Sequence, residues 1–200
     1  INRNKCINLN DSFDPFKFDL ICHLGASSKK NNKTNDITKK NIEITKKIFL
    51  NAKKNAKLKV IFISANSIVG KTTKKPIKMS TKSSPQDEYS LSKLVGEKLL
   101  KKYIKEKNRV IIRLPAVYGE NDNKQGFLRR IILSSKRNQN IYINNPNSLF
   151  NNAILLETVL EFLSKIILNN KKFMGKNFML GAINEMAIID IVNFINTSLN

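Results

Sequence analysis

Three short apolar runs constrain the fold more than any other feature of the chain. They occupy residues 18–26, 58–64 and 109–115 (FDLICHLGA, LKVIFIS and RVIIRLP). Each run is apolar at consecutive positions, which is typical of a strand buried on both faces. Residues 37–56 and 89–105 lie between the runs and repeat apolar side chains at helical spacing. This alternation predicts βαβ units and a parallel sheet with right-handed crossovers.

Each intervening helix carries an apolar stripe, the surface that a helix of a globular protein turns to the core. The first stripe has lysines opposite it and consists of Ile37, Ile44, Ile48, Phe49 and Ala52. The second stripe consists of Leu91, Leu94, Val95 and Leu99. Pro85 and the acidic pair Asp87 and Glu88 mark the start of the second helix.

The rest of the chain is less regular. Residues 71–88 are polar, carry two prolines and are predicted to form a loop. Further helices are predicted over 124–136, 155–169 and 187–198. The middle one has apolar side chains at Leu156, Val159, Leu160, Leu163 and Ile167. Short strands are predicted over 141–144 (IYIN), before an Asn/Pro turn, and over 177–181 (NFMLG).

Composition bounds the class of protein. The chain has 200 residues, 41% of them hydrophobic and 26% charged, so it can form one domain with a real core or part of a larger one. No run reaches about 18 uninterrupted apolar residues, so no membrane span is expected. The first residues contain no apolar signal-peptide core and do not begin with methionine, which leads us to expect further residues upstream.

A net charge of +21 raises the question of a nucleic-acid partner. The lysines are spread over most polar segments, and no helix-turn-helix signature, zinc knuckle or aromatic RNA-binding motif accompanies them. We therefore expect no nucleic acid and attribute the charge to a general over-use of lysine and asparagine. Cys6 and Cys22 form no CxxC pair and no metal-binding spacing. Reduced cysteines, a cytoplasmic location and no metal are expected.

Candidate functional groups follow the three predicted strands, at the edge where open parallel sheets bind ligands. The groups are His23-Leu24-Gly25-Ala26, then Ser64-Ala65-Asn66-Ser67, then Pro115 followed by Val117-Tyr118-Gly119.

Tyr89 and Lys93 lie four positions apart at the start of the helix before the third strand, and so share one face of it. An ammonium ion beside a phenol favours the phenolate, so it would lower the pKa of tyrosine from its usual ~10 and permit acid/base chemistry near neutral pH. Tyr103 has the same spacing to Lys107 but lies among lysines near the end of its helix, where a solvated face is expected. Tyr89 and Lys93 are therefore the candidate catalytic pair, and a strand-end hydroxyl could complete the site.

Seven segments occur in the order found in one known family. They are HLGA (23–26), NIEIT (41–45), FISANSIVG (62–70), PQDEYSLSKLVGEKLL (85–100), IIRLPAVYG (111–119), SLFNNAILLETVLEFL (148–163) and NFMLG (177–181). In this order they resemble the extended short-chain dehydrogenase/reductase family, the NAD-dependent epimerases and dehydratases of nucleotide sugars.

The resemblance implies an α/β fold with a Rossmann-type doubly wound parallel sheet that lacks its first strand–helix units. It implies a partial cofactor domain over residues 1–122 and a mainly C-terminal substrate-binding region over 123–200, interleaved with the first. It also implies a nucleotide-sugar substrate, NAD or NADP as cofactor, and a homodimer when the chain is full length.

The resemblance also assigns roles to single residues. Tyr89 would be the acid/base, and Lys93 would bind the nicotinamide ribose and lower the pKa of Tyr89. Leu24, Gly25, Ala26 and Pro115 would line the cofactor. For His23 we expect structural packing, and for Asn41 a role in fixing the local backbone, rather than contact with a ligand.

Two departures from the family pattern stand out. No three of the seven glycines fit the Gly-x-x-Gly-x-x-Gly loop that would bind the pyrophosphate, so the chain by itself is expected to bind NAD weakly or not at all. Ala65 stands where the family has its catalytic serine or threonine, and Val69 where it usually has tyrosine. Ser64, which ends the strand, is the preferred substitute. Ser67 is the alternative, because strand neighbours alternate and Ser64 could face the wrong side.

The favoured function is a UDP-sugar 4-epimerase-like enzyme that works by transient hydride transfer. Asn66 and Ser67 replace the acidic pair that a dehydratase would show, which favours epimerisation. The enzymatic alternative is a nucleotide-sugar reductase that uses NADPH. The non-enzymatic alternative, favoured by Ala65, is a family member that binds a nucleotide or a protein partner without catalysis.

Overall fold

The structure, a computed structural model, describes residues 13–25, 34–71, 76–119, 126–150, 152–182 and 186–199. Two compact units are present. The first comprises Ile1–Arg113 with Lys165–Met179, and the second comprises Leu114–Ser164 with Leu180–Asn200. Whether these units divide the binding of cofactor and substrate between them stays a prediction.

The described residues contain six strands, six α-helices and three short 3₁₀ helices. In chain order the strands and α-helices are β1 (Leu20–His23), α1 (Thr34–Ala52), β2 (Lys59–Ala65), α2 (Glu88–Tyr103), β3 (Arg109–Leu114), β4 (Ala116–Tyr118), α3 (Phe127–Lys136), β5 (Ala153–Leu155), α4 (Leu156–Leu168), α5 (Asn170–Phe173), β6 (Asn177–Met179) and α6 (Ile188–Leu199). The 3₁₀ helices are Pro15–Lys17, Asn66–Val69 and Glu106–Asn108.

A four-stranded sheet with the strand order β1-β2-β3-β6 forms the centre of the first unit. β1 pairs in parallel with β2, and β3 pairs in parallel with β6. β2 is buried from Val60 to Ala65, as expected for a strand that is apolar on both faces. The predicted α/β fold with a mostly parallel sheet and flanking helices is confirmed, and the three strands lie where the apolar runs placed them.

The core of the first unit joins both helices to the sheet. Its buried members are Phe49, Ala52, Leu58, Val60, Phe62, Leu100, Ile104 and Ile111. The apolar stripe of α1 therefore meets the core at Phe49 and Ala52, as its spacing predicts.

The buried face of α2 is not its leucine stripe. Its buried residues are Ser90, Ser92, Lys93, Gly96, Glu97 and Leu100. Leu91, by contrast, is 42% exposed, and the other members of the stripe are half-buried. Of the four apolar residues in the stripe, Leu99 packs against the core of the first unit. Polar groups take the inner face because each of them finds a partner there, as described below, while small residues allow close approach.

Gly96 shows how closely α2 approaches the sheet. A Cβ atom at this position would lie 2.5 Å from Cζ of Phe62. The glycine is thus required by the contact between α2 and β2, although glycine in mid-helix costs about 1 kcal/mol relative to alanine.

A buried ion pair joins α2 to β3. Nε of Arg113 donates to Oε1 of Glu97 at 2.8 Å, and Nη2 donates to Oε2 at 2.9 Å. Nη1 also donates to the carbonyl oxygen of Met79 at 3.1 Å. Because the paired geometry satisfies both charges, the two side chains can be buried inside an otherwise apolar layer.

The second unit is built on a small parallel sheet and a helix pair. β4 pairs in parallel with β5, and α3 packs against α6. Phe127 stacks on Phe150 at 5.2 Å between ring centroids, and the hydroxyl of Ser135 bonds the side chain of Asn196. The predictions of α3, α6 and, in the first unit, β6 are confirmed.

One strand prediction outside the first βαβ units is wrong, and two strands were not predicted. IYIN (141–144) is not a strand: no described strand pairs with it, and Tyr142 is 90% exposed. β4 and β5 were not expected, because each is three residues long. The helix predicted over 155–169 is confirmed as α4, which buries Val159, Leu163 and Ile166 and leaves Leu156, Leu160 and Ile167 exposed.

None of the helices in the described part of the chain combines the length and the apolar composition that crossing a bilayer requires.

Candidate active site

The candidate site is built around the first turn of α2. Asp87 caps the helix, and its Oδ1 accepts a hydrogen bond from the backbone N–H of Ser90 at 2.8 Å. This capping satisfies an N–H group that the helix itself cannot pair. Tyr89 is therefore the second residue of a helix whose first turn is capped.

Lys93 is held beside Tyr89 by a strand-end carbonyl. Its Nζ donates to the carbonyl oxygen of Ile63 in β2 at 2.8 Å. The same atom lies 5.7 Å from the ring centroid of Tyr89 and 5.3 Å from that of Phe62. Lys93 is only 4% exposed, and burial lowers the pKa of its ammonium group to about 8. The structure thus brings the predicted pair together on one face of the helix.

The pKa of Tyr89 differs from the sequence-based expectation. Burial, and then the negative charge of Asp87, raise the pKa of Tyr89 above its ordinary value. The predicted lowering by Lys93 is therefore not found in the protein as described. The desolvation of the buried phenol and the nearby carboxylate of Asp87 disfavour the phenolate. Tyr89 is a neutral phenol in this state.

The strand-end serine, Ser64, is buried under α2. Since strand neighbours alternate, it shares the face of Phe62, which α2 covers at Gly96. Ser64 is 2% exposed, and its Oγ has no hydrogen-bond partner among the described residues. Its role as a catalytic hydroxyl stays a prediction.

Ser67 lies in the 3₁₀ helix Asn66–Val69 that follows β2, and it is exposed. Its Oγ is 2.6 Å from Oγ of Ser90, the residue after Tyr89. Oγ of Ser90 is also 3.1 Å from Oδ2 of Asp87. The three side chains form a continuous hydrogen-bonded chain that reaches from the helix cap to the surface.

His23 is packed in the core, as expected. Its Nε2 lies 2.9 Å from Oγ1 of Thr45, and its ring contacts Phe49 and Phe62. Burial, and then the positive charge of Lys93, lower the pKa of His23 to about 4. Asn41 is buried and bonds the hydroxyl of Ser92, so it links α1 to α2. Cys22 lies in β1, and burial raises the pKa of its thiol to about 11.

The predicted cofactor-lining residues are only partly described. Leu24 and Gly25 follow the end of β1, and Leu24 is 59% exposed, so both are accessible to a ligand. Ala26 lies outside the described residues. Pro115 lies between β3 and β4 and belongs to the second unit. Its contact with a cofactor remains a prediction.

Several groups that organise the site were missed in the sequence. Ser90 was overlooked although it directly follows Tyr89. The ion pair between Glu97 and Arg113 could have been predicted, because these two opposite charges lie inside segments that are otherwise predicted to be buried. Tyr103 was expected on a solvated face, but its ring packs against the core with Lys53 and Lys102 near it. No sequence signal indicated the bond from Lys93 to a backbone carbonyl.

Comparison with known protein families adds a direct match. Residues 3–150 match the model of the NAD dependent epimerase/dehydratase family. The chain belongs to this family. Its membership agrees with the mostly parallel sheet and with the Tyr89–Lys93 pair at the start of α2.

Solved structures of family enzymes share the fold. UDP-glucuronic acid 4-epimerase from Bacillus cereus, in complex with NAD, is 22% identical; the alignment covers 95% of this chain and 63% of that one, with a TM-score of 0.79. UDP-N-acetylglucosamine 4-epimerase from Bacillus cereus is 17% identical over 92% of this chain and 65% of that one, with a TM-score of 0.76. dTDP-glucose 4,6-dehydratase from Bacillus anthracis, in complex with NAD, is 15% identical over 92% of this chain and 57% of that one, with a TM-score of 0.75.

The chain thus spans less than two thirds of the length of these enzymes. A search of curated protein sequences gave no significant match.

Proposed function

We propose that the protein is an NAD-dependent enzyme that converts nucleotide sugars, with a UDP-sugar 4-epimerase-like reaction that proceeds by transient hydride transfer. The observation that carries the proposal is the Tyr89–Lys93 pair, one helical turn apart, with Nζ of Lys93 fixed by the carbonyl of Ile63. Two of the solved structures described above are 4-epimerases of UDP-sugars, and two contain NAD.

Tyr89 is the proposed acid/base. A sugar hydroxyl that is oxidised must lose its proton, and a phenolate oxygen can accept it. Because Tyr89 is a neutral phenol in the protein as described, the phenolate requires a further positive charge near the ring. NAD, when bound, supplies a hydride acceptor with a cationic nicotinamide ring.

The residues present fit the nicotinamide end of such a cofactor. The buried ammonium group of Lys93 can donate hydrogen bonds to ribose hydroxyls on the same face as Tyr89. Leu24 and Gly25, and with them Ala26 and Pro115 by prediction, would contact the cofactor. Either NAD or NADP satisfies these contacts.

We propose a homodimer through the outer face of α1 and α2. A groove of about 570 Å³ lies there, lined by Thr38, Lys39, Ile42, Glu43, Lys46, Glu88 and Leu91. The apolar side chains Ile42 and Leu91 would meet those of the second copy, with lysines opposite glutamates around them. Leu91→Glu would then shift the mass measured by analytical ultracentrifugation from dimer to monomer, whereas an unchanged mass would argue against this face.

The activity is tested by assaying the full-length protein with a panel of nucleotide sugars that includes UDP-glucuronic acid, UDP-N-acetylglucosamine and dTDP-glucose. Epimerised product detected by NMR, without net consumption of NADH or NADPH, supports the proposal. Stoichiometric consumption of NADPH would instead indicate a reductase. Binding without conversion of any sugar would indicate the non-catalytic alternative that Ala65 favours.

A further inference from the structure

Four segments of the first unit lead into the strands of its sheet and together form one surface, here called the strand-start face. They are residues 14–19, 53–59, 101–109 and 165–176, each of which ends where a strand begins or at its first residue. Three side-chain hydrogen bonds join them: Asn55 to the carbonyl oxygen of Pro15 at 3.0 Å, Asn108 to that of Ala56 at 2.7 Å, and Lys59 to Oδ1 of Asn170 at 2.6 Å. The segments are therefore contiguous in space although they are far apart in sequence.

The strand-start face concentrates positive charge. Its four segments contain fourteen lysines and arginines but only three acidic residues, a net charge of +11, whereas the whole chain carries +21. Twelve of these lysines are exposed. A general over-use of lysine accounts for the number of cations in the chain, but not for the gathering of half the net charge on one face.

Helix ends explain only part of this charge. Lys102 and Lys165 lie in the last turns of α2 and α4, where a cation stabilises the end of a helix. Lys57, Lys105 and Lys176 lie in the turns between elements and are exposed, so they do not serve a helix end in this way. Their charge is directed to solvent and is available to an anionic partner.

Two large apolar side chains stand exposed among these lysines. Phe16, which precedes Lys17 in the first 3₁₀ helix, is 70% exposed, and Leu168, at the end of α4, is 75% exposed. Exposed apolar side chains with lysines around them suit a membrane surface, because the apolar groups enter the interface while the cations meet anionic headgroups. We propose that the strand-start face binds the surface of a bilayer that contains anionic lipids.

The composition of the face favours lipid over nucleic acid. Arg109 is the one arginine in the four segments, and its Nη1 already donates to the carbonyl oxygen of Ile104 at 2.7 Å. Its guanidinium is therefore partly engaged, whereas phosphate and base recognition typically uses free arginine forks. An aromatic ring such as Phe16 could stack on a base, but the aliphatic Leu168 has no ring to do so.

The candidate active site lies at the other end of β2. Lys59 begins this strand at the strand-start face, whereas Lys93 beside Tyr89 bonds the carbonyl of Ile63 near the strand's end. A strand of this length separates its two ends by about 20 Å. A bilayer on the strand-start face would thus leave Tyr89 accessible to a water-soluble substrate, and the inference does not depend on the proposed function.

Cosedimentation of the full-length protein with lipid vesicles tests the proposal. We expect binding at physiological salt to vesicles of phosphatidylcholine with about 30% phosphatidylserine, and none to vesicles of phosphatidylcholine alone. Binding should weaken as salt is added, because salt screens the charges. Absence of binding to the anionic vesicles at physiological salt would overturn the proposal.

A matched pair of charge variants distinguishes this face from the charge of the whole chain. Lys57→Glu/Lys172→Glu should weaken binding to the anionic vesicles at least about tenfold, since each lysine near such a surface contributes about fivefold. Lys78→Glu/Lys82→Glu changes the net charge equally at exposed positions of the loop after β2 and should bind like the wild type. Equal losses in the two folded variants, with folding checked by circular dichroism, would overturn the assignment of this face.

A second pair of variants distinguishes a lipid surface from other polyanions. Phe16→Ser should weaken binding to the anionic vesicles about tenfold through loss of apolar burial. Tyr142→Ser removes a side chain that is 90% exposed in the second unit and should have no effect. Unchanged binding by Phe16→Ser would overturn the proposal. Single-stranded RNA that binds the wild type more tightly than the anionic vesicles do would overturn it as well, in favour of a nucleic-acid partner.

Discussion

Nζ of Lys93 lies 2.8 Å from the carbonyl oxygen of Ile63, so the helix that carries Tyr89 is anchored to the end of the central strand β2. This bond fixes the position of a cation beside Tyr89 before any ligand is present.

The charge of Asp87 should set the pH at which Tyr89 works. Asp87 contributes to the raised pKa of Tyr89, so its removal should lower that pKa. In Asp87→Asn, the ionisation of the acid/base seen in kcat/KM should therefore move to lower pH, while the asparagine oxygen still caps α2. An unmoved profile in the folded variant would show that Asp87 does not act on Tyr89.

His23 should make the protein sensitive to acid. Its pKa is lowered from 6.5 to about 4 in the folded protein, so the unfolded chain binds the proton more readily between these values. The stabilising contribution is present above about pH 6.5 and is lost as the pH falls towards 4, with a limit of about 3 kcal/mol. We expect the free energy of unfolding, measured with urea, to depend less on pH over this window in His23→Gln. An equal slope in both proteins would contradict the assignment.

Gly96→Ala should destabilise the protein despite the better helix propensity of alanine. The added Cβ would meet the Phe62 ring at 2.5 Å, and such overpacking costs about 1–3 kcal/mol. Gly25→Ala is the control, because its Cβ would meet its nearest neighbour, Cε1 of His23, at an ordinary 3.9 Å. Thermal melting should show a lower midpoint for Gly96→Ala alone, and Phe62→Leu should relieve part of the loss. A Gly96→Ala variant as stable as the wild type would mean that α2 does not approach β2 so closely.

The Glu97–Arg113 pair should show strong coupling. Either single substitution, Glu97→Gln or Arg113→Met, leaves a buried polar group without its partner and should cost about 3–5 kcal/mol. The double variant should lose clearly less than the sum of the two. Urea unfolding of the four proteins measures this coupling, and simple additivity would show that the two side chains do not depend on each other.

The sequence predicted the parts of the fold that depend on apolar patterning. β1, β2 and β3 could be located because a strand buried on both faces is apolar at every position. The inner face of α2 could not be predicted in this way, because Lys93 and Glu97 are buried through polar contacts made across elements. Leu91 shows the converse, since it is apolar and 42% exposed.

The candidate site, like the fold, could be predicted only in part from the sequence. Tyr89 and Lys93 could be identified because helical spacing fixes which residues share a face. The raised pKa of Tyr89 could not be predicted in this way, because it depends on burial and on the charge of Asp87. The exposure of Ser67 and the burial of Ser64 could not be predicted either, since sequence position does not show which hydroxyl reaches the surface.

The most direct test of the central claim compares two tyrosine variants of the full-length protein. Tyr89→Phe and Tyr103→Phe each remove one phenol oxygen from α2, and each tyrosine has a lysine four positions later. The turnover of a nucleotide sugar with NAD should fall by at least about 10²-fold in Tyr89→Phe and remain near the wild-type rate in Tyr103→Phe. Normal turnover by a folded Tyr89→Phe variant would contradict the account.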